Sequence, residues 1–224
     1  MKKVSLLVTA ALALLSYQGM AQTQTVTAGG TTFGIRAGFN LQNLNGKDAT
    51  GDKLENKLVQ RFHAGVNAEI PIAPDFYVQP GLLFSTKGAK IDDGLTSDDK
   101  INLSYIELPV NLLYKPVLGS GRLLLGFGPY VAYGIGGKYK TNAGDADVKF
   151  KGEVKPGDDP DKFYLKPFDA GANFLVGYEL SSRISAQLNA QLGLINISPD
   201  YEGLPDTDAR TANTGFGISV GYRF

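Results

Sequence analysis

Apolar residues recur at every second position through eight separate segments of this 224-residue chain. Successive side chains of an extended strand point to opposite faces, so each segment has one apolar face and one face of small or polar residues. The cleanest places Ile184, Ala186, Leu188, Ala190, Leu192 and Leu194 against Ser185, Gln187, Asn189, Gln191 and Gly193. The same alternation runs through residues 31–40, 61–72, 76–87, 101–115, 122–136, 168–180 and 215–224. In the 101–115 segment the phase slips near Tyr105, where a bulge can reset it. Pro80, Pro109 and Pro129 stand inside proposed strands and each removes a ladder hydrogen bond, so local bulges are expected at all three.

The connections fall into two kinds. Residues 73–75, 116–121 and 181–182 are short and read as hairpin turns. Residues 41–60, 88–100, 138–167 and 195–213 are long and rich in Gly, Asp, Lys, Asn and Pro. Short turns at one end and long loops at the other, joined by about eight strands of roughly ten residues, predict an all-β, eight-stranded antiparallel up-and-down transmembrane β-barrel. The expected domain is 31–224, after a short lead at 22–30.

Composition removes several alternatives. Lys+Arg and Asp+Glu are equal at 22 each, so no basic surface awaits nucleic acid. Cysteine is absent, which excludes disulfide scaffolds and Cys-ligated metal or redox sites. After the first residues there is no run of ~18 apolar residues, so a membrane assignment must rest on strands. Residues 1–21 have Lys2 and Lys3 before an apolar stretch from Val4 to Leu15, and end in Gly19-Met20-Ala21. They read as a signal peptide, removed on export to the periplasm and cell outer membrane.

Alternation leaves open whether the apolar face meets lipid or lines a cavity, as in a soluble lipocalin-like barrel. Three features favour lipid. The polar face is dominated by Gly, Asn, Gln and Ser, which suit a crowded interior better than a solvated exterior. Aromatics on the apolar face gather at strand ends: Phe33, Phe76, Tyr114, Tyr178, Tyr222 and Phe224 at the turn end, and Phe39, Phe62, Phe84, Tyr133 and Phe168 at the loop end. Paired aromatic girdles are the mark of the two membrane interfaces. The chain also stops on Phe224 after an alternating strand, so Tyr222 and Phe224 are the expected C-terminal signal for the barrel-assembly machinery.

The stretches GIRAGFN, QPGLLFSTKG, SYIELPVNLLYKP, GFGPYVAYGIGGKYK and the closing GFGISVGYRF resemble the PorT-type outer-membrane β-barrel family, from Thr31 to Phe224. The three prolines fall inside the matching motifs. The resemblance implies an eight-stranded barrel, and its founding member is associated with a protein secretion and gliding apparatus. No set of residues in this chain carries that role over.

With the apolar face outward, the inner face carries Arg36, Arg61, Lys87, Lys115 and Arg223 against Glu69, Glu107, Asp169 and Glu179. An isolated buried charge costs several kcal/mol, so near-balance predicts an ion-pair and amide network that fills the lumen. Its amide and imidazole members are Asn67, Asn111, Asn173, Gln187, Asn189, Gln191 and His63. Arg36 is expected to bridge to Glu69 or Glu107 near mid-barrel. A narrow gated channel is the alternative function of such a lumen.

His63 is the only histidine, leaving one candidate base for a Ser-His-Asp hydrolase and none for a multi-His zinc site. A network histidine near the loop-side mouth is the preferred reading, with a lipid-modifying enzyme as the second alternative. Gly134-Ile-Gly-Gly-Lys138 fails as a phosphate loop because Tyr139 replaces Ser/Thr and no helix follows. The acidic groups Asp92-Asp93, Asp98-Asp99 and Asp158-Asp159-Asp161 lack the spaced ligands of a calcium loop and read as solvated. No catalytic, cofactor or metal residue is assigned. The expected protein is a monomer surrounded by outer-membrane lipid and lipopolysaccharide, whose four surface loops are available to an envelope protein partner.

Overall fold

The computed structural model describes residues 30–48, 50–91, 99–142, 144–203 and 209–224. The expected signal peptide, with Asp92, Asp93 and Asp98, lies outside the described residues. In chain order the strands are β1 (Thr32–Lys47), β2 (Asn56–Lys57), β3 (Val59–Ala73), β4 (Phe76–Ile91), β5 (Lys100–Tyr114), β6 (Val117–Leu118) and β7 (Gly121–Thr141). They continue as β8 (Gly144–Phe150), β9 (Glu153–Val154), β10 (Phe163–Leu165), β11 (Phe168–Glu179), β12 (Ile184–Gly193), β13 (Asp200–Tyr201) and β14 (Arg210–Arg223).

Eight of these close a barrel. β1 pairs β3, and pairing continues through β4, β5, β7, β11, β12 and β14 back to β1, always antiparallel. A closed ladder leaves no unpaired edge facing hydrocarbon, the condition for a β-structure to span a bilayer. The hairpin turns are tight, with Asp75 at φ 60° and Arg183 at φ 65°. Both chain ends of the barrel lie at this turn end, where the Phe224 amide donates to the Phe33 carbonyl at 2.8 Å.

The apolar face is the outer one: Phe39 is 72% exposed, Val220 61% and Leu188 58%, whereas Lys87 and Asp169 on the inner wall are fully buried. The aromatic girdles form as contacting rings, Phe76 with Tyr114 at 4.7 Å at the turn end, and Tyr133 with Phe168 at 5.2 Å at the loop end. Shallow apolar furrows between outer side chains are surfaces for acyl chains, since they open outward among residues such as Leu112, Phe174 and Val220.

The bulge expected near Tyr105 does not form in β5, which alternates without a break: its apolar residues change from the inner face at Ile101, Leu103 and Tyr105 to the outer face at Ile106, and the register shift at Ser104 and Tyr105 places the extra residue, Ile135, on β7. The bulges expected at the interior prolines do not form. Pro80, Pro109 and Pro129 keep register with Val110, Tyr130 and Ala172, and the second shift lies instead between Pro71 and Ala73 beside a hairpin turn. A missing donor therefore interrupts the ladder here without displacing it.

Four strands run well past the expected boundaries: β1 to Lys47, β4 to Ile91, β7 to Thr141, and β14 from Arg210. The stretch expected as a loop at 138–167 contains the end of β7, the β8 strand hydrogen-bonded to it, and β10 lying parallel to β8. Above the loop-side aromatics the polarity of the two faces inverts. Leu44, Ala89, Ile101 and Leu103 now point inward, joined by Val148, Leu165 and Ile197 from the connections, in one buried apolar cluster. Once a strand leaves hydrocarbon its outer face meets water, and apolar side chains gain only by turning inward.

Candidate functional site

Among the described residues the lumen is where the fold concentrates chemistry-bearing side chains from many strands, and it has three levels. Nearest the turns, Glu69 of β3 accepts from Lys115 Nζ at 2.7 Å, from Arg223, and from Gln79 Nε2 at 3.2 Å. Lys115 also pairs Glu179 at 2.9 Å, so one ammonium joins two carboxylates from β3 and β11. Asn111 donates to Gln79 at 3.5 Å, while Asn67 and Gln187 border a small space of about 10 Å³.

Nearest the loops, Lys87 of β4 is held between Asp169 at 2.9 Å and Glu107 at 3.0 Å. Its ammonium lies 4.3 Å from the centre of the Tyr130 ring. Asp169 further accepts from Tyr130 at 3.2 Å and from Asn213 at 3.0 Å. Glu107 accepts from Gln191 at 2.9 Å, and Gln191 donates to Asn173 at 3.1 Å. Each carboxylate meets its lysine and further donors, which is how a charge cluster is accommodated in so little water.

Between these levels, His63 contacts Asn40 at Nδ1, 3.1 Å, and Ser219 at Nε2, 2.9 Å. Asn189 donates to the same Ser219 oxygen. The three can meet because Gly38 stands among them: a Cβ there would lie 2.7 Å from the imidazole and 2.8 Å from the serine oxygen. A serine, histidine and amide in line are part of what nucleophilic acyl chemistry requires. The adjoining cavity is only about 50 Å³, however, room for a few waters and not for an acyl substrate.

Two expected members sit differently. Arg36 lies on the inner wall and borders both cavities, but makes no ion pair among the described residues. Glu69 is taken by Lys115 and Arg223 and Glu107 by Lys87, so the expected bridge does not form. Arg61 leaves the network altogether. The Thr86 hydroxyl inserts between β3 and β4, bonding both the amide and the carbonyl of Phe62 at 2.9 Å. The carbonyls of Lys87 and Ile101 then receive Arg61, at 3.1 and 3.0 Å.

The apolar cluster above this network was not expected from the sequence. Phe150 of β8 lies over Gly134, where a Cβ would meet its ring at 2.3 Å, and stacks edge-on with Tyr105 at 5.6 Å. The signal was present in the alternation of Ala146, Val148 and Phe150 with Asp145, Asp147 and Lys149. Among the described residues no cluster of His, Cys, Asp and Glu could hold a metal ion.

A closed barrel with its apolar face outward and its charges within is an outer-membrane architecture. The chain belongs to the outer membrane protein beta-barrel domain family, which it matches over residues 20–198. Among solved structures, two crystal structures of Ail, the attachment invasion locus protein of Yersinia pestis, are similar to it. They share 12% and 9% identity, with 88% of this chain and 100% of Ail covered and a TM-score of 0.42 in each case. One of the two holds the heparin analogue sucrose octasulfate. Among curated proteins none matches the chain.

Proposed function

We propose that this protein is a non-enzymatic outer-membrane barrel that acts through its extracellular face, as an interaction or structural component of the envelope. The observation that carries this reading is the double closure of the lumen. A charge cluster around Lys115 fills the turn end, and an apolar cluster around Tyr105, Val148 and Leu165 fills the loop end. In this reading the chain is exported by a cleaved signal peptide at 1–21, assembled through Tyr222 and Phe224, and works as a monomer. A PorT-like link to protein secretion would run through the same outer surface, and cross-linking in intact cells would identify the envelope partner.

Purified protein in planar bilayers should give no resolvable conductance steps. Reproducible unitary currents would replace this reading with that of a small-solute pore. The alignment of Ser219, His63 and Asn40 favours one competing reading, a lipid-modifying enzyme. Turnover of phospholipid or lipid A by the native protein, lost in His63→Ala, would establish that activity. Equal absence of turnover in both proteins is expected.

A further inference from the structure

Lys57, Lys90, Lys100 and Lys140 stand directly opposite one another across β2, β4, β5 and β7. Residues paired in this way project from the same face, and like charges directly opposite are unfavourable. Lys138 projects beside Lys140, and both are exposed. Lys57 and Lys90 have partners within the protein, while Lys100 and Lys138 make no hydrogen bond or close ion pair among the described residues, Lys138 standing opposite Asp147 of β8 and interacting with it only at longer range. Asp145 approaches Lys140 only to 3.9 Å, both side chains being about half exposed, and Asp147 is engaged by Lys162 at 3.0 Å.

The row has a defined height. Phe84, Ile106, Tyr133 and Phe168 are also opposite one another in the same ladder and form the last wholly apolar row. Lys90 and Lys100 lie six residues beyond Phe84 and Ile106. At ~3.3 Å per residue and a tilt of ~45°, the lysines stand about 14 Å above the aromatic ring. A phospholipid headgroup layer reaches only about 5–7 Å from the hydrocarbon. An anion that meets the row while rooted in the membrane must have a taller headgroup. An open groove of about 570 Å³ connects the levels, from Phe84 and Ile135 over Gly136 and Gly137 to Lys138 and Lys140.

We propose that this outer wall is a binding site for a phosphorylated glycolipid of the outer leaflet, whose acyl chain lies along Phe84 and Ile135 and whose acidic sugars meet Lys100, Lys138 and Lys140. The inference rests on the outer-membrane placement of the barrel and is independent of whether the lumen conducts.

Native mass spectrometry of the full mature protein in detergent tests it, with lipid A bearing two acidic core sugars as the probe. Phosphatidylglycerol and inorganic phosphate serve as the comparisons. The glycolipid is expected to bind tighter than either. Each of Lys100→Gln, Lys138→Gln and Lys140→Gln should weaken it about fivefold, and the triple variant about a hundredfold. Lys155→Gln, on the loop at 151–162, should leave it unchanged. Heat-modified gel mobility reports folding of each variant. If the triple variant does not fold, Lys100→Gln alone decides. Affinity unchanged within twofold in a folded variant, or equal binding of phosphatidylglycerol or phosphate, overturns the site.

Discussion

Lys87 carries a high local stake in the barrel. It is fully buried, and two carboxylates from two other strands depend on it. Removing one partner of a buried ion cluster leaves uncompensated charge, which costs about 3–5 kcal/mol. Lys87→Met should therefore lower unfolding stability in urea by that amount, and combining it with Asp169→Asn should recover part of the loss. Additive losses in the double variant would mean that the contacts are not energetically coupled. At this scale the sequence disclosed membership of the network better than pairing. Alternation places Lys87, Asp169 and Glu107 on one wall, but which acid each base meets depends on the barrel's radial geometry. Arg36 and Arg61 show the consequence: one is displaced by better-placed cations, and the other bonds the Lys87 and Ile101 carbonyls beyond the point where Thr86 ends the β3–β4 ladder.

At the scale of elements, the ordered 151–162 connection is held by exposed acid–base contacts whose pH response can be worked out. The Asp158 carboxylate accepts from Lys151 and from the Lys155 amide at 2.7 Å, and these donors, Lys151 first, hold its pKa below the ordinary value. A depressed carboxylate pKa stabilises the fold above the unfolded value and loses that contribution as pH falls through the folded one. Lys162, hydrogen-bonded to Asp147, is shifted upward, so its contribution is present below the ordinary lysine value and lost as pH rises past the folded one. Protease protection of this connection should be greatest between about pH 4 and pH 10 and fall on either side, while the barrel keeps its gel mobility. Protection that stays unchanged below about pH 4 and above about pH 10 would show that these contacts do not order the segment. The membrane strands were legible because lipid on one side and packing on the other impose opposite demands on alternate residues. Their extensions were not, because beyond Phe84 and Tyr133 the outer face turns polar and the contrast between faces reverses sign.

For the whole molecule, the two seals are independent in position and composition. Replacing residues 142–166 by a short Gly/Ser turn removes Val148, Phe150 and Leu165 from the upper cluster but leaves Lys115, Glu69, Glu179 and Arg223 in place. The shortened protein should admit protease or labelling reagent as far as Tyr105 and still pass no current in a planar bilayer. Current on shortening alone would identify the upper cluster as the sole barrier. The inversion of polarity just above the loop-side girdle also fixes how the cylinder sits. Sinking by one outward-facing row would draw Thr86 and Ser104 into oil, and rising by one would strand Phe84, Ile106 and Tyr133 in water. Mismatch in a thinner or thicker host bilayer is therefore taken up by the lipids bending to meet the protein, which keeps its own waterline.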